Sequence, residues 1–306
     1  MTSAMKSRIF ASLVVTVGIA AAAVSTAGCS ANSQGTPIPV SAPIATSTQS
    51  PRATTYSPQV ELPFGDYINH MSGLAVDAAG NAYVLDLYYG QVWKQSPGAT
   101  HLTTLPFTGL GRPVEVAVDA EGALYVVDGL ENRVLKLLPG STEPIVLPFN
   151  DIRPGKVAVD AAGTLYVTDF GNNRVLKLAD GASTPTVLPF TGIRPGSVAA
   201  DTAGNVYVTD LGADRVLKLA ADASSPTVLP FNDLEIPFGV AVDPAGNVYV
   251  TDFGADRVLK LAVGASAPTV LPFTGLKEPT AVAVDPASNV YIIGDGNFRV
   301  FTLPAQ

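Results

Sequence analysis

Two histidines and a repeated set of charged residues are the side chains best suited to chemistry in this 306-residue sequence. His70 and His101 fall in loops at opposite ends of the predicted strands, so they cannot ligate the same metal ion. The sequence has no GxSxG nucleophile motif. Its Asp-Ala-Ala-Gly turns also lack the oxygen ligands and the terminal Glu of a calcium loop. We therefore predict no metal site, no cofactor and no catalytic residue.

Aspartate and arginine recur five residues apart in four successive units, which could form a charged binding ring. We favour a structural role, because a feature present in nearly every unit is typical of architecture. The Asp would bind turn amides and face the Arg across a hairpin. Glu115 and Lys156 are interpreted as an ion pair between repeats, with an acid–base pair as the alternative. The recurring pairs are Asp128/Arg133, Asp169/Arg174, Asp210/Arg215 and Asp252/Arg257.

The elements that position these residues repeat every 41 or 42 residues. Each repeat has an Asp that is followed by a Tyr six positions later. Alternating apolar residues and Gly/Asn/Asp turns predict four short strands per repeat. In the third repeat we predict strands over 157–159, 165–168, 174–178 and 186–190, with the Pro-containing last strand outermost. The repeated aspartates are Asp77, Asp119, Asp160, Asp201, Asp243 and Asp285.

Six four-stranded units of about 40 residues predict an all-β fold, a six-bladed β-propeller with antiparallel blades. The sequence ends after the third strand of the sixth unit, whereas one extra Leu-Pro-Phe segment precedes the first unit. We therefore expect an N-terminal strand to complete the last blade and close the ring. Val60, Leu62 and Phe64 should then pack against the segment from Arg299 to Leu303.

The N-terminal region predicts export and anchoring. Residues 1–28 combine a basic start with an apolar stretch and small residues, which is typical of a signal peptide. Cys29 is the sole cysteine, and the sequence before it resembles a bacterial lipobox, so we predict lipidation at Cys29. An uncleaved membrane helix is the alternative. Residues 29–58 read as a Ser/Thr/Pro-rich linker and 59–306 as the propeller, held at the extracytoplasmic side of the cell membrane.

Two segments, VAVDAAGTLYVTDFGNNRVLKL (157–178) and TVLPFTGIRPG (186–196), resemble the NHL-repeat family. They are also similar to the extracellular six-bladed sensor domain of a mycobacterial receptor Ser/Thr kinase. The resemblance implies extracytoplasmic sensing of a ligand. It does not imply kinase activity, because the Asp-Phe-Gly at 169–171 is a hairpin turn and the other kinase motifs are missing.

A binding face is predicted where the loops differ from repeat to repeat while the strands stay the same. The loops that enter each first strand, together with the turns between second and third strands, carry arginine and aromatic residues suited to recognition. We expect a protein, peptide or cell-envelope glycan as partner, and the net charge of −8 disfavours nucleic acid. A lactonase- or lyase-type enzyme and a non-catalytic scaffold are the alternatives. The candidate residues are Tyr67, His70, Tyr88, Tyr89, Arg112, Arg153, Arg194, Glu235 and Lys277.

Overall fold

A computed structural model describes residues 54–64, 67–68, 70–294, 296 and 298–306. The predicted signal peptide, Cys29 and the linker up to residue 53 lie outside these ranges. No helix in the described part of the chain is long and apolar enough to cross a membrane.

The predicted six-bladed β-propeller is confirmed, with six antiparallel four-stranded sheets. Blade 1 has β2 (Met71–Val76), β3 (Ala82–Asp86), β4 (Gln91–Gln95) and β5 (Thr103–Thr104), and blade 2 has β6 (Pro113–Val118), β7 (Leu124–Asp128), β8 (Arg133–Leu137) and β9 (Ile145–Val146). Blade 3 has β10 (Pro154–Val159), β11 (Leu165–Asp169), β12 (Arg174–Leu178) and β13 (Thr186–Val187), and blade 4 has β14 (Pro195–Ala200), β15 (Val206–Asp210), β16 (Arg215–Leu219) and β17 (Thr227–Val228). Blade 5 has β18 (Pro237–Val242), β19 (Val248–Asp252), β20 (Arg257–Leu261) and β21 (Thr269–Val270), and blade 6 has β22 (Pro279–Val284), β23 (Val290–Gly294), β24 (Arg299–Leu303) and β1 (Val60–Leu62).

The first strand of each blade is innermost, and consecutive inner strands contact one another around the ring, including β2 with β22. The inner strand of blade 3 starts at Pro154, three residues earlier than predicted, because a bulge between Pro154 and Lys156 extends its pairing with β11. The Thr168 hydroxyl stabilises this bulge. It accepts a hydrogen bond from the Lys156 amide (2.9 Å) and donates one to the Gly196 carbonyl of blade 4 (3.3 Å).

The outermost strands are shorter than predicted. In blade 3 the strand ends at Val187 rather than Phe190, because Leu188-Pro189-Phe190 forms a three-residue turn in which the Phe190 amide donates to the Leu188 carbonyl at 2.8 Å. The turn directs the Phe190 side chain into the core, where it is 3% exposed. All six Leu-Pro-Phe segments make the same hydrogen bond, so this motif is a buried anchor and not the end of a strand.

Blade 6 is built from both ends of the described chain. β1 pairs antiparallel with β24, with Val60 opposite Thr302 and Leu62 opposite Val300. Phe64 is fully buried. The expected packing of Val60 is wrong, because its side chain lies at the start of the edge strand and is 49% exposed, whereas Leu62 is partly buried against the core.

A tyrosine–aspartate hydrogen bond recurs in every blade at the turn between the first two strands. In blade 3 the Asp160 carboxylate accepts from the Ala162 and Thr164 amides (both 2.9 Å) and from the Tyr166 hydroxyl (3.0 Å). Burial and the adjacent carboxylate raise the pKa of Tyr166, so the hydroxyl remains a donor at physiological pH. Lys177 lies over the tyrosine ring, with its Nζ 5.8 Å from the centroid. The other pairs are Asp77/Tyr83, Asp119/Tyr125, Asp201/Tyr207, Asp243/Tyr249 and Asp285/Tyr291.

We predict that Tyr166→Phe lowers the free energy of unfolding by about 1–3 kcal/mol, because it leaves a buried carboxylate oxygen without its donor. Urea denaturation measures the change. Tyr88→Phe is the matched control, because Tyr88 is 74% exposed and lies outside the repeated pairs. Equal stability of the two variants would show that the hydrogen bond contributes nothing.

The contrast between Phe64 and Val60 gives a second prediction for β1. Phe64→Ala should cost about 3–5 kcal/mol of stability, because a fully buried aromatic side chain leaves a cavity. Val60→Ala should change stability by less than about 0.5 kcal/mol, because that side chain is half exposed. Thermal melts of both variants test this, and a parent-like melt of Phe64→Ala would mean that the N-terminal segment does not hold blade 6 together.

Candidate ligand-binding site

The recurring aspartate–arginine pairs are structural, as the sequence predicted. In blade 3 the buried Asp169 carboxylate lies 2.7 Å from Arg174 Nε, and these two residues are paired across β11 and β12. Its other oxygen accepts a hydrogen bond from the Arg153 amide at 2.9 Å. The same carboxylate therefore fixes the loop that enters the blade, a contact that the sequence did not reveal.

Corresponding contacts occur in blades 2, 4 and 5. Each carboxylate accepts from the strand arginine of its own blade and from an amide of the entering loop. Burial raises the pKa of Asp252, while its hydrogen bonds with Arg257 and the Glu235 amide oppose that shift. The loop amides belong to Gly111 and Arg112 for Asp128, Arg194 for Asp210 and Glu235 for Asp252.

A cavity of about 340 Å³ opens among these loops at the mouth of the central channel. Its wall includes the second residue of four inner strands, namely Val114, Gly155, Gly196 and Phe238. Phe238 of blade 5 reaches into the channel, because its ring lies 5.7 Å from the Nζ of Lys156, on the non-adjacent blade 3. Space remains opposite that ring because blades 3 and 4 have glycine at the equivalent position.

Glycine at two of these positions leaves the cavity open. A Cβ at Gly155 would lie 3.0 Å from Thr168 Oγ1, and a Cβ at Gly196 would lie 2.7 Å from Thr209 Oγ1. Phe238 occupies the equivalent position of blade 5, although Thr251 makes the same hydrogen bond to the inner strand there. The shape of the cavity therefore depends on which blades carry glycine at this position.

The cavity is lined by positive charge. Arg112 and Arg153 both contribute to its wall, as does Lys156. Lys156 Nζ lies 3.3 Å from the buried Glu115 carboxylate, so the ion pair favoured by the sequence forms between blades 3 and 2. The charge of this lysine is therefore offset by Glu115.

The two loop arginines differ from the arginines of the third strands. Within the described residues, no side chain or carbonyl accepts a hydrogen bond from the guanidinium of Arg112 or of Arg153. The aliphatic part of Arg153 packs over Gly171, where a Cβ would lie 2.6 Å from its Cδ. Arg194, in the next loop, stacks its guanidinium 5.5 Å from the Phe170 ring, which also lines the cavity.

Aromatic side chains cluster on the same face, at blades 1 and 6. The His70 ring lies 5.3 Å from that of Phe298 and 6.3 Å from that of Tyr88. Tyr88 and Tyr89 pack edge to face at 5.1 Å, and both remain largely exposed. We call His70, Tyr88, Tyr89 and Phe298 the aromatic cluster. The Tyr67 ring lies 6.3 Å from that of Trp93 instead.

The nine candidate residues thus fall into separate groups on one face. Arg112 and Arg153 meet at the cavity, and Arg194 lies over the Phe170 ring in its wall. His70, Tyr88 and Tyr89 form the aromatic cluster with Phe298, while Tyr67 packs against Trp93. Glu235 and Lys277 are exposed near blades 5 and 6, where Lys277 Nζ pairs with Asp256 at 3.2 Å. His101 lies between β4 and β5, away from His70. No group of three metal-ligating side chains occurs in the part of the chain that the structure describes.

Sequence reasoning missed most of the cavity-lining residues that are not charged. Phe238 looked like an ordinary strand residue, and Asn132 and Leu211 looked like turn residues, whereas Phe170 was expected to add aromatic area to this face. Aligning the six repeats gives one usable signal. The second inner-strand position differs between most blades, whereas the first position is proline in five of the six. It holds Ser72, Val114, Gly155, Gly196, Phe238 and Thr280 in turn.

Comparison with known proteins supports the repeat assignment. The NHL repeat model matches residues 152–178. Serine/threonine-protein kinase PknD from Mycobacterium tuberculosis is 51% identical over 60 residues, which is 19% of this chain and 9% of the kinase. The chain therefore matches only a small part of that relative.

Solved structures share the fold at low identity. Virginiamycin B lyase from Staphylococcus aureus, in a complex with quinupristin, aligns over 82% of this chain and 99% of its own with a TM-score of 0.63 and 11% identity. A gluconolactonase from Xanthomonas campestris aligns over 79% and 88% with a TM-score of 0.66 and 16% identity. Identities this low establish the architecture alone. The chain is a six-bladed β-propeller in which residues 152–178 match the NHL repeat and a 60-residue stretch is similar to PknD.

Proposed function

We propose that this protein is a lipid-anchored extracytoplasmic propeller that binds a protein, peptide or cell-envelope glycan at the face described above. The observation that carries the proposal is the difference between the strand arginines, which are paired, and the two loop arginines at the cavity. The strand arginines of blades 2 to 5 each pair with a buried aspartate, and Arg299 of blade 6 pairs with Glu61. Arg112 and Arg153 instead line a cavity without a carboxylate partner among the described residues. Arginine and aromatic side chains on a rigid scaffold are typical of recognition surfaces.

The attachment of the loops also supports a binding role. The buried aspartates hold loop backbones through amide hydrogen bonds, which do not depend on the side chains that the loops carry. Loop sequences can therefore change without loss of the fold, as they do between repeats. The sensor-domain resemblance of the repeats points the same way.

A lyase- or lactonase-type enzyme is the second candidate. One observation favours it, namely that the buried Glu115–Lys156 pair adjoins the cavity and could exchange a proton with a bound molecule. A structural ion pair between blades accounts for the same contact. Turnover of a lactone or depsipeptide substrate that is lost in Lys156→Met, without a lower melting temperature, would favour the enzyme.

Photo-crosslinking in intact cells of the source organism tests the binding face. The full-length protein carries a photoreactive residue either at Tyr88, on this face, or at Asp222, in the connection between β16 and β17 at the opposite end. We expect a discrete crosslinked product from position 88 that disappears when Arg112→Glu and Arg153→Glu are added. Crosslinks from position 222 alone, or products insensitive to the charge reversals, would contradict this assignment of the face.

The arginine variants need a stability control. Reversing Arg112 and Arg153 should leave the melting temperature within the error of the parent, since neither guanidinium has a carboxylate partner in the part of the chain that the structure describes. Arg174→Gln should instead destabilise the propeller by about 1–3 kcal/mol, because it removes a charged hydrogen bond from buried Asp169. The exposed third of the Arg174 side chain keeps the effect below that of a fully buried pair.

Anchoring through Cys29 is tested separately. Cys29→Ala should prevent lipidation, so that metabolic labelling with an alkyne fatty acid no longer marks the protein. Cys29 is the only thiol in the sequence, so a palmitoyl thioester or thioether has no other position. Unchanged labelling of the Ala variant, or no labelling of the parent, would overturn the anchor.

A further inference from the structure

We propose that the cavity at the channel mouth binds an organic anion with an apolar body, its carboxylate or phosphate held by Arg112 and Arg153. The inference rests on the proposed function and specifies the chemistry of the ligand. It uses the charges and the lining of the cavity, and it does not depend on the aromatic cluster.

The wall of the cavity carries a net positive charge. Glu115 offsets Lys156, so the two guanidinium groups remain as the net charge of the wall. The two buried aspartates at the base of these loops are already engaged. Asp169 binds Arg174, Asn172 and the Arg153 amide, and Asp128 binds Arg133 and the Arg112 amide.

The rest of the protein makes this positive patch distinctive. The chain has a net charge of −8, so an anion is repelled by most of its surface. Two guanidinium groups facing one cavity provide planar forks that match carboxylate and phosphate oxygens in pairs. A neutral or cationic ligand would leave both charges without a partner.

The uncharged part of the cavity wall indicates that the rest of the ligand is apolar. Val114, Phe170, Leu211 and Phe238 provide apolar and aromatic surface, and Asn132 adds an amide at the rim. The Phe238 and Phe253 rings lie 5.9 Å apart and fill the channel side of the site. A volume of about 340 Å³ suits a small molecule or the terminal residues of a peptide.

Three small probes test this chemistry on the purified protein by ligand-observed NMR titration. N-acetyl-phenylalanine carries a carboxylate and phenyl phosphate carries a phosphate, whereas N-acetyl-phenylalaninamide has the same aromatic body without charge. We expect millimolar binding of at least one anion, weakened by added salt, and no binding of the neutral amide. The relative affinity of the two anions distinguishes a carboxylate ligand from a phosphate ligand.

Matched variants locate the binding. Arg112→Gln and Arg153→Gln should each weaken the bound anion about tenfold or more, because each removes a charge-assisted hydrogen bond. Arg299→Gln is the control, since it removes a cation that pairs with Glu61 in blade 6 and does not line the cavity. Val114→Trp, which fills the cavity without removing charge, should abolish binding.

Several results would overturn the proposal. These are equal binding of the neutral amide, anion binding that survives both arginine substitutions, and no binding of either anion. If the probes fail while the crosslink at position 88 persists, the binding face stands and the ligand class is wrong. If the probes bind through the arginines while the crosslink fails, the anion site stands and the macromolecular partner is wrong.

Discussion

Burial between adjacent blades is the constraint on which the rest of this structure depends. The hydrophobic clusters lie between blades and not within them. Tyr166 and Val175 of blade 3, for example, pack with Val198 and Leu217 of blade 4, and Phe190 fills the space beside them. A single blade cannot cover its own apolar face, so each blade is stable only with both neighbours present. The pairing of β1 with β24 and the buried Phe64 follow from this requirement, because an incomplete sixth blade would expose two of these clusters.

The same arrangement explains why the loops are available for recognition. The Asp–Tyr pairs fix the turns at one end of each blade, and the aspartates at the end of the second strands fix the entering loops at the other end. Both sets of carboxylates bind backbone amides, so they constrain where a loop runs without constraining its side chains. Arg153 can therefore point at the cavity while its own amide is held by Asp169.

Much of the architecture was predictable, because the repeat makes local patterns unambiguous. The spacing of the repeated aspartates predicted the number of blades, and the pairing of Glu115 with Lys156 followed from their equivalent positions in adjacent blades. Two expectations failed for local reasons. The strand end at Phe190 was wrong because a proline-containing turn follows Val187, and Val60 was wrong because the start of this edge strand stays exposed to solvent, whereas Leu62 packs against the core. The cavity was not predictable, because it depends on which side chains from blades 2 to 5 reach a shared axis.

Departures from the repeat explain why a single site can arise in a nearly symmetric molecule. Six identical blades would present six equivalent positions at the channel mouth, and their side chains would either fill the channel together or leave it uniformly open. Here Phe238 occupies the channel from blade 5, and the glycines at 155 and 196 leave room opposite it. Glu115 and Lys156 break the symmetry of charge at the next position along the inner strands. Arg112 and Arg153, in the entering loops of blades 2 and 3, line the same cavity as these residues. The differences between blades in side-chain size and in charge therefore occur at the same place. Drift of unconstrained surface loops would scatter such changes around the ring, whereas their convergence on one cavity is the pattern expected of a binding site.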